Sequence, residues 1–142
     1  MDNISTVHAR SGAAPWSVQL DDDLGHAWQA DEPADKGGAD TAPDPTRLLL
    51  SSLGACTVIT LQMYAARKQW PLQGVQVELQ YNPLGKPKSG TDITRRIVLQ
   101  GALDEEQRAR LLQVANACPI HKVLTGEVRI ATALAATDPA AV

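Results

Sequence analysis

The chain has 142 residues, of which 44% are hydrophobic and 20% are charged, as expected for one soluble domain spanning 1–142. A formal net charge of −3 leaves no basic surface for a phosphate backbone, so we expect no nucleic-acid partner. The segment MDNISTVHAR lacks the apolar stretch of a secretory signal, which predicts a cytoplasmic location. The core is expected over about residues 5–135, with a loose tail at 136–142.

Three short strands are predicted before the first helix. Residues 4–10, 16–22 and 25–30 have strand-like patterns and are separated by turn-forming Gly, Pro and Asp residues. Residues 31–45 contain three prolines and two glycines and show no hydrophobic periodicity. This segment is therefore predicted to be a loop.

A single long helix is predicted over residues 46–69, because Trp70 precedes a proline and is pushed out of the helical region. Its stretch 48–66 carries no charge over 19 residues, yet several polar residues interrupt it. A helix buried in a protein core explains this pattern better than a membrane span, and no membrane partner is expected. Apolar residues surround its first half, and so small a domain cannot cover them alone, which favours a homodimer.

The second half of the chain alternates strands with helices. Residues 75–81 alternate apolar and polar positions, and residues 91–100 read as the return strand of a hairpin. A further strand is predicted at residues 127–134 on the same alternation. The order of strands, long helix, two strands, helices and strand predicts an α+β fold and not a chain of parallel βαβ units.

Two helices are predicted between the hairpin and the last strand. Asp104 and Gln107 form the capping-box pattern of a helix that ends near residue 117. Pro119 suits the first turn of a second, shorter helix.

The two cysteines are the candidate reactive groups. Cys56 lies in the long helix behind Gly54 and Ala55, two small residues that allow a substrate or another backbone to approach closely. Cys118 immediately precedes Pro119, where the positive end of a helix dipole favours a thiolate, so position alone favours Cys118 as the more reactive thiol. The residues alone leave open inert buried cysteines, redox-active thiols and metal ligands.

Other kinds of site have weaker support. Cys118 and His121, with Cys56 as a third ligand, lack the paired spacing of a zinc site, and we expect no metal. His121 is instead expected on a helix face at the cleft or at a dimer surface. The chain carries no GxSxG, GxGxxG or GxxxxGK motif, so serine hydrolysis and nucleotide cofactors are not expected.

Two segments that contain the cysteines resemble the two signatures of the OsmC/Ohr family. Residues 45–57, PTRLLLSSLGACT, are similar to its P-x-E-L-L-L-A-A-L-G-A-C-T pattern, and residues 117–124, ACPIHKVL, to its A-C-P-V-H-K-x-L pattern. The separation of the cysteines also fits. The segments ADEP at 30–33 and GGAD at 37–40 resemble the YhfA-like subgroup.

The resemblance implies an OsmC-like fold, in which antiparallel β-sheets wrap a long central helix and two chains form an intertwined homodimer. It further implies a thiol-dependent peroxidase for organic hydroperoxides in oxidative-stress defence. Cys56 would be the peroxidatic residue, and Cys118 would resolve it by forming a disulfide. A dithiol, lipoyl groups in several relatives, would reopen that bond.

The family's arginine, which steadies the thiolate and polarises the peroxide, comes from the N-terminal strands, so Arg10 is the candidate here. A glutamate usually orients that arginine, but this chain has Thr46 and Arg47 at those positions. Arg47 could itself act on Cys56. Asp44, Asp31 and Glu32 are the carboxylates that could replace the glutamate. The departure keeps a second function open: a non-catalytic protein that binds or senses a small hydrophobic ligand at the dimer interface.

Overall fold

Residues 4–136 are described in the computed structural model and fall into two units. The first unit holds residues 4–48 and 130–136, and the second holds Leu49–Arg129. The single domain predicted over 1–142 stays a prediction. Most of the tail predicted as loose, residues 137–142, lies outside the described residues.

The first unit contains a three-stranded antiparallel sheet in the order β1-β2-β3. The strands are β1 (Val7–Ser11), β2 (Val18–Asp22) and β3 (Ala27–Ala30). The acidic turn before β3 closes on Asp22, whose carboxylate accepts hydrogen bonds from the backbone N–H groups of Leu24 and His26. The three predicted strands are confirmed with shifts of a few residues at their ends. The predicted loop also contains a one-turn 3-10 helix at Ala34–Lys36.

Helix α1 (Pro45–Lys68) confirms the predicted long helix within one residue at either end. The Asp44 carboxylate accepts from the backbone N–H of Arg47 at 2.9 Å and caps the helix start. Gln69 takes a φ of 58°, in the left-handed region that ends many helices. The buried residues of α1 recur every fourth position and form one stripe: Leu53, Thr57, Leu61 and Ala65.

The second unit packs this stripe into its core. Strands β4 (Leu72–Tyr81) and β5 (Ile93–Gly101) form an antiparallel hairpin, as predicted. Helix α2 (Glu105–Ala115) begins with the predicted capping box, in which Asp104 and Gln107 each accept from the other's backbone N–H. Helix α3 (Pro119–Thr125) follows. The buried core of this unit consists of Leu61, Leu111, Val114 and Ala115.

The strand predicted at residues 127–134 is wrong for this chain. The segment carries no regular structure, and its apolar side chains are exposed, with Val128 at 57%, Ile130 at 85% and Leu134 at 103%. Alternation marks a segment that suits a sheet, but a strand forms only where a neighbour accepts its hydrogen bonds. Within the described residues, the sheets contain β1 to β5 alone.

Candidate functional site

The two cysteines approach each other because α1 and the start of α3 meet in the second unit. Cys56 lies in the middle of α1, next to the buried stripe, and Cys118 is the N-cap of α3. The Cys118 side chain and the backbone N–H of Ile120 lie near enough to the Cys56 sulfur to lower the pKa of its thiol. Both cysteines are free thiols. The fold therefore brings together the two sulfurs that are 62 positions apart in the sequence.

The surroundings of Cys56 lower the pKa of its thiol. Partial burial alone raises that pKa, but four interactions outweigh it. They are hydrogen bonds from the Ile120 backbone N–H, Cys118 and Thr60, and the positive charge of Arg95. The Thr60 hydroxyl lies 3.9 Å from the sulfur, one helical turn further along α1. Cys56 therefore carries more thiolate than an ordinary cysteine, and the thiolate is the nucleophilic form.

Cys118 lies at the predicted helix N-terminus but is closed to solvent. Its backbone is extended, and its sulfur accepts a hydrogen bond from the His121 N–H at 3.4 Å, as an N-cap side chain does. The residue is 0% exposed, whereas Cys56 is partly exposed. Accessibility thus favours Cys56 as the thiol that meets a substrate first, in place of the order predicted from helix position alone.

Arg95 is the cation that acts on Cys56 within the second unit. Its Nη1 donates to the Thr57 hydroxyl at 3.1 Å, and its Nη2 donates to the Asn116 side-chain oxygen and to His121 Nδ1, both at 3.0 Å. Acceptance at Nδ1 corresponds to a neutral His121 ring with its proton on Nε2. Among the described residues, no carboxylate forms an ion pair with Arg95. Neutral acceptors therefore hold this guanidinium, and its charge remains available to the sulfur.

Arg95 was not among the residues predicted from the sequence, although its place in β5 carries a signal. Every second position of β5 from Ile93 to Gly101 is partly buried, and Arg95 is the charged residue in this alternation. A charged residue in phase with the apolar face of a strand is costly to bury, which marks it as a candidate for function. Its neighbour Arg96 points the other way, is 84% exposed and lies 3.7 Å from Glu78.

The sequence pattern of the OsmC-like protein family matches residues 37–133, which is more than half of the chain and includes both cysteines and Arg95. The chain belongs to the OsmC-like family. Its YhfA-like subgroup stays a prediction. No curated protein matches the chain.

Solved structures of OsmC-like proteins share this fold. An OsmC-like protein from Mycoplasma pneumoniae has 20% identity and a TM-score of 0.74, over 89% of this chain and 90% of the other. An organic hydroperoxide resistance protein from Legionella pneumophila has 19% identity and a TM-score of 0.64, over 87% and 90%. The organic hydroperoxide resistance protein OhrB of Bacillus subtilis has 22% identity and a TM-score of 0.58, over 87% and 92%. At these identities the likeness establishes the fold alone.

Family membership also bears on whether α1 is a core helix or a membrane span. The helix is long and apolar enough to cross a membrane by length and composition. The OsmC-like family is soluble, and the buried stripe of α1 packs in the core of the second unit. These observations identify α1 as a core helix, and its length and composition alone are weak evidence for a membrane span.

The two arginines predicted from the family pattern both pair with aspartates in the first unit. Arg10 on β1 binds the Asp21 carboxylate on β2, and Arg47 binds Asp44 at 2.8 Å at the start of α1. The roles predicted for Arg10 and Arg47 at Cys56 stay predictions.

The carboxylates considered as replacements for the usual glutamate have local roles. Asp31 is buried and accepts hydrogen bonds from the Thr41 hydroxyl, the Thr41 N–H and the Glu32 N–H. The Thr41 hydroxyl, more than the two N–H groups, lowers the pKa of Asp31. Asp31 therefore stabilises the loop after β3 by hydrogen bonds within it. Asp44 caps α1 and binds Arg47.

A cavity of about 380 Å³ opens beside Arg95 in the second unit. Five of its lining residues are aliphatic and five are polar. The lining residues are Leu53, Thr91, Ile93, Arg95, Ile97, Leu112, Asn116, His121, Leu124 and Thr125. This size lies within the range of small-molecule sites. In the described part of the chain, no three His, Cys, Asp or Glu residues gather as a metal site.

Proposed function

We propose that this OsmC-like protein is a thiol-dependent peroxidase that reduces organic hydroperoxides, with Cys56 as the peroxidatic and Cys118 as the resolving residue. The observation that carries the proposal is a partly exposed thiol of lowered pKa beside a second, buried thiol. Additional support comes from relatives of the same fold that are named organic hydroperoxide resistance proteins.

The proposed reaction has two steps at the protein. The Cys56 thiolate attacks the distal oxygen of the hydroperoxide, the O–O bond breaks, and the alkoxide leaves and takes up a proton to become an alcohol. Cys56 is now a sulfenic acid. The Cys118 thiol then attacks this sulfur, forming a disulfide and releasing water. Two electrons have passed from the thiols to the peroxide, and an external dithiol returns them by exchange with the disulfide.

Arg95 is proposed as the cation of this reaction. Negative charge moves from sulfur to the leaving oxygen as the O–O bond breaks, and a nearby guanidinium stabilises both the thiolate and the developing alkoxide. Arg95 already lowers the pKa of Cys56. Thr57, Asn116 and His121 orient it, where the family pattern would have a glutamate orient an arginine.

The remaining parts of the proposal concern partners and location. A dithiol such as a lipoyl group on another protein would serve as reductant, because a two-thiol donor reopens the disulfide and leaves both cysteines reduced. The active form would be a cytoplasmic homodimer that acts in oxidative-stress defence.

Thiol counting tests the reaction directly. Reduced protein is mixed with one equivalent of cumene hydroperoxide, and free thiols are counted over time. We expect rapid loss of both thiols of each chain. Cys56→Ser should abolish the reaction, and Cys118→Ser should accumulate a sulfenic acid that dimedone traps. Thiols that stay unchanged over minutes in the wild-type protein would contradict the proposal.

The same assay identifies the activating arginine. Arg95→Met should slow thiol loss by about a hundredfold or more, as the loss of a preorganised charge commonly does. Arg96→Met, on the outer face of the same strand, is the matched control and should react like the wild type. Arg10→Ala and Arg47→Ala test the two arginines predicted from the sequence. If Arg10→Ala or Arg47→Ala slowed thiol loss while Arg95→Met did not, the activating cation would be that arginine and not Arg95.

A second candidate function is a non-catalytic protein that binds or senses a small hydrophobic ligand. The cavity beside Arg95 favours it, because most of its wall is apolar. In that case the thiols would survive the hydroperoxide while a small ligand would still bind.

A further inference from the structure

The cavity beside Arg95 combines an apolar wall with a single permanent charge. Five aliphatic side chains line it: Leu53, Ile93, Ile97, Leu112 and Leu124. Three of its polar groups form one connected cluster, because Arg95 donates to both Asn116 and His121. The other polar lining residues are Thr91 and Thr125, which carry no charge. No lining residue is a carboxylate. A ligand complementary to this wall would be amphipathic, with one anionic head group.

Arg95 has capacity left for such a head group. It donates to three neutral acceptors, Thr57, Asn116 and His121, whereas a guanidinium carries five N–H groups. The residue is half-buried and has no carboxylate partner in the described chain. A partly desolvated cation without a counter-ion gains from pairing with an anion, and a carboxylate matches the planar guanidinium.

We propose that this cavity binds an amphipathic monocarboxylate, such as a medium-chain fatty acid, whose carboxylate pairs with Arg95 and whose chain lies against the aliphatic wall. A saturated acid carries no peroxide, so it would be a ligand and not a substrate. The inference therefore goes beyond the proposed peroxidase and does not depend on turnover.

Occupancy of this site would act on the neighbouring thiol. The positive charge of Arg95 stabilises the Cys56 thiolate, and a bound carboxylate neutralises that charge. The bound acid would therefore make Cys56 less ionised and less reactive. By linkage, the thiolate form of Cys56 would bind the acid more weakly than the thiol form does.

Titration calorimetry with octanoate on the reduced full chain tests the site. We expect saturable binding that tightens about fourfold for each added methylene from hexanoate to octanoate, as burial of the chain predicts. 1-Octanol, which has the chain but no charge, should bind at least about tenfold more weakly, because it lacks the charge-assisted pair. Octanoate should also slow alkylation of Cys56 by iodoacetamide, and 1-octanol should do so less.

Variants on the two faces of β5 show which arginine binds the carboxylate of octanoate. Arg95→Met should weaken octanoate binding about ten- to a hundredfold, Arg95→Lys should recover part of it, and Arg96→Met should leave it unchanged. Equal binding of octanoate and 1-octanol by the wild-type protein would overturn the proposal, as would no binding at millimolar concentration or equal effects of Arg95→Met and Arg96→Met. The ligand comparison needs no variant, so a misfolded substitution cannot hide the answer. Octanoate binding without peroxidase activity would remove only the proposed function, and activity without binding would remove only this inference.

Discussion

Two adjacent arginines on β5 show how one position along a strand decides a residue's role. Arg95 faces inward, where it binds Thr57, Asn116 and His121 and acts on Cys56. Arg96 faces outward and is largely exposed, so solvent screens its charge. Equal charges on neighbouring residues thus have unequal effects on the thiol.

This difference predicts the pH dependence of Cys56 reactivity. The folded-state pKa of the Cys56 thiol is lowered, so the rate of alkylation by iodoacetamide should rise with pH earlier than it does for a free cysteine. Arg95→Met removes a stabilising cation, which raises the pKa, and should slow alkylation at neutral pH. The rate is measured across a pH series with Cys118 in place, because its side chain contributes to the lowered pKa. Mass spectrometry identifies alkylation at Cys56, and Cys118 is fully buried. Superimposable profiles for Arg95→Met and Arg96→Met would show that Arg95 has no electrostatic effect on the thiol.

Regular elements with strong local signals were predictable, and pairing between distant segments was not. The capping residues Asp104 and Gln107 placed α2, and Pro119 placed α3, because caps act over a few residues of sequence. The prediction of a strand at residues 127–134 was wrong, because the alternating pattern shows which face is apolar but does not show whether another strand lies beside it. Arg95 was missed for a related reason: its partners come from α1, α2 and α3, and only the fold brings them together.

The capping box of α2 has a predictable effect on stability. Asp104 accepts the Gln107 N–H at 2.7 Å, and α2 leads to Asn116, a partner of Arg95. Asp104→Ala should lower the free energy of unfolding by about 1 kcal/mol, because an N–H at the helix start loses its acceptor. Asp104→Asn keeps an acceptor and should cost much less. Urea denaturation of the three proteins measures this, and an Asp104→Ala midpoint equal to that of the wild type would show that the cap contributes nothing.

At the scale of the whole molecule, apolar surface remains on the face of α1 opposite its buried stripe. Ile59 is 49% exposed and Met63 is 63% exposed, one turn apart on the same helix. The segment 127–134 also exposes apolar side chains, those of Val128, Ile130 and Leu134, and belongs to no sheet within the described chain. A second chain could cover the helix and the exposed side chains of residues 127–134, which agrees with the homodimer predicted from the sequence.

Light scattering on purified protein tests this prediction. The wild type should have the mass of a dimer at micromolar concentration, twice the 15.2 kDa of the chain. Met63→Glu should shift it toward monomer, because a charge would then be buried against the partner, while an exposed position in a monomer would tolerate it at little cost. Gln62→Glu adds the same charge at the neighbouring exposed position and is the control. If the wild type has the mass of one chain, the homodimer is wrong, and the apolar face of α1 then needs another explanation. If Met63→Glu stays dimeric, α1 does not form the contact and the exposed segment 127–134 becomes the next region to test.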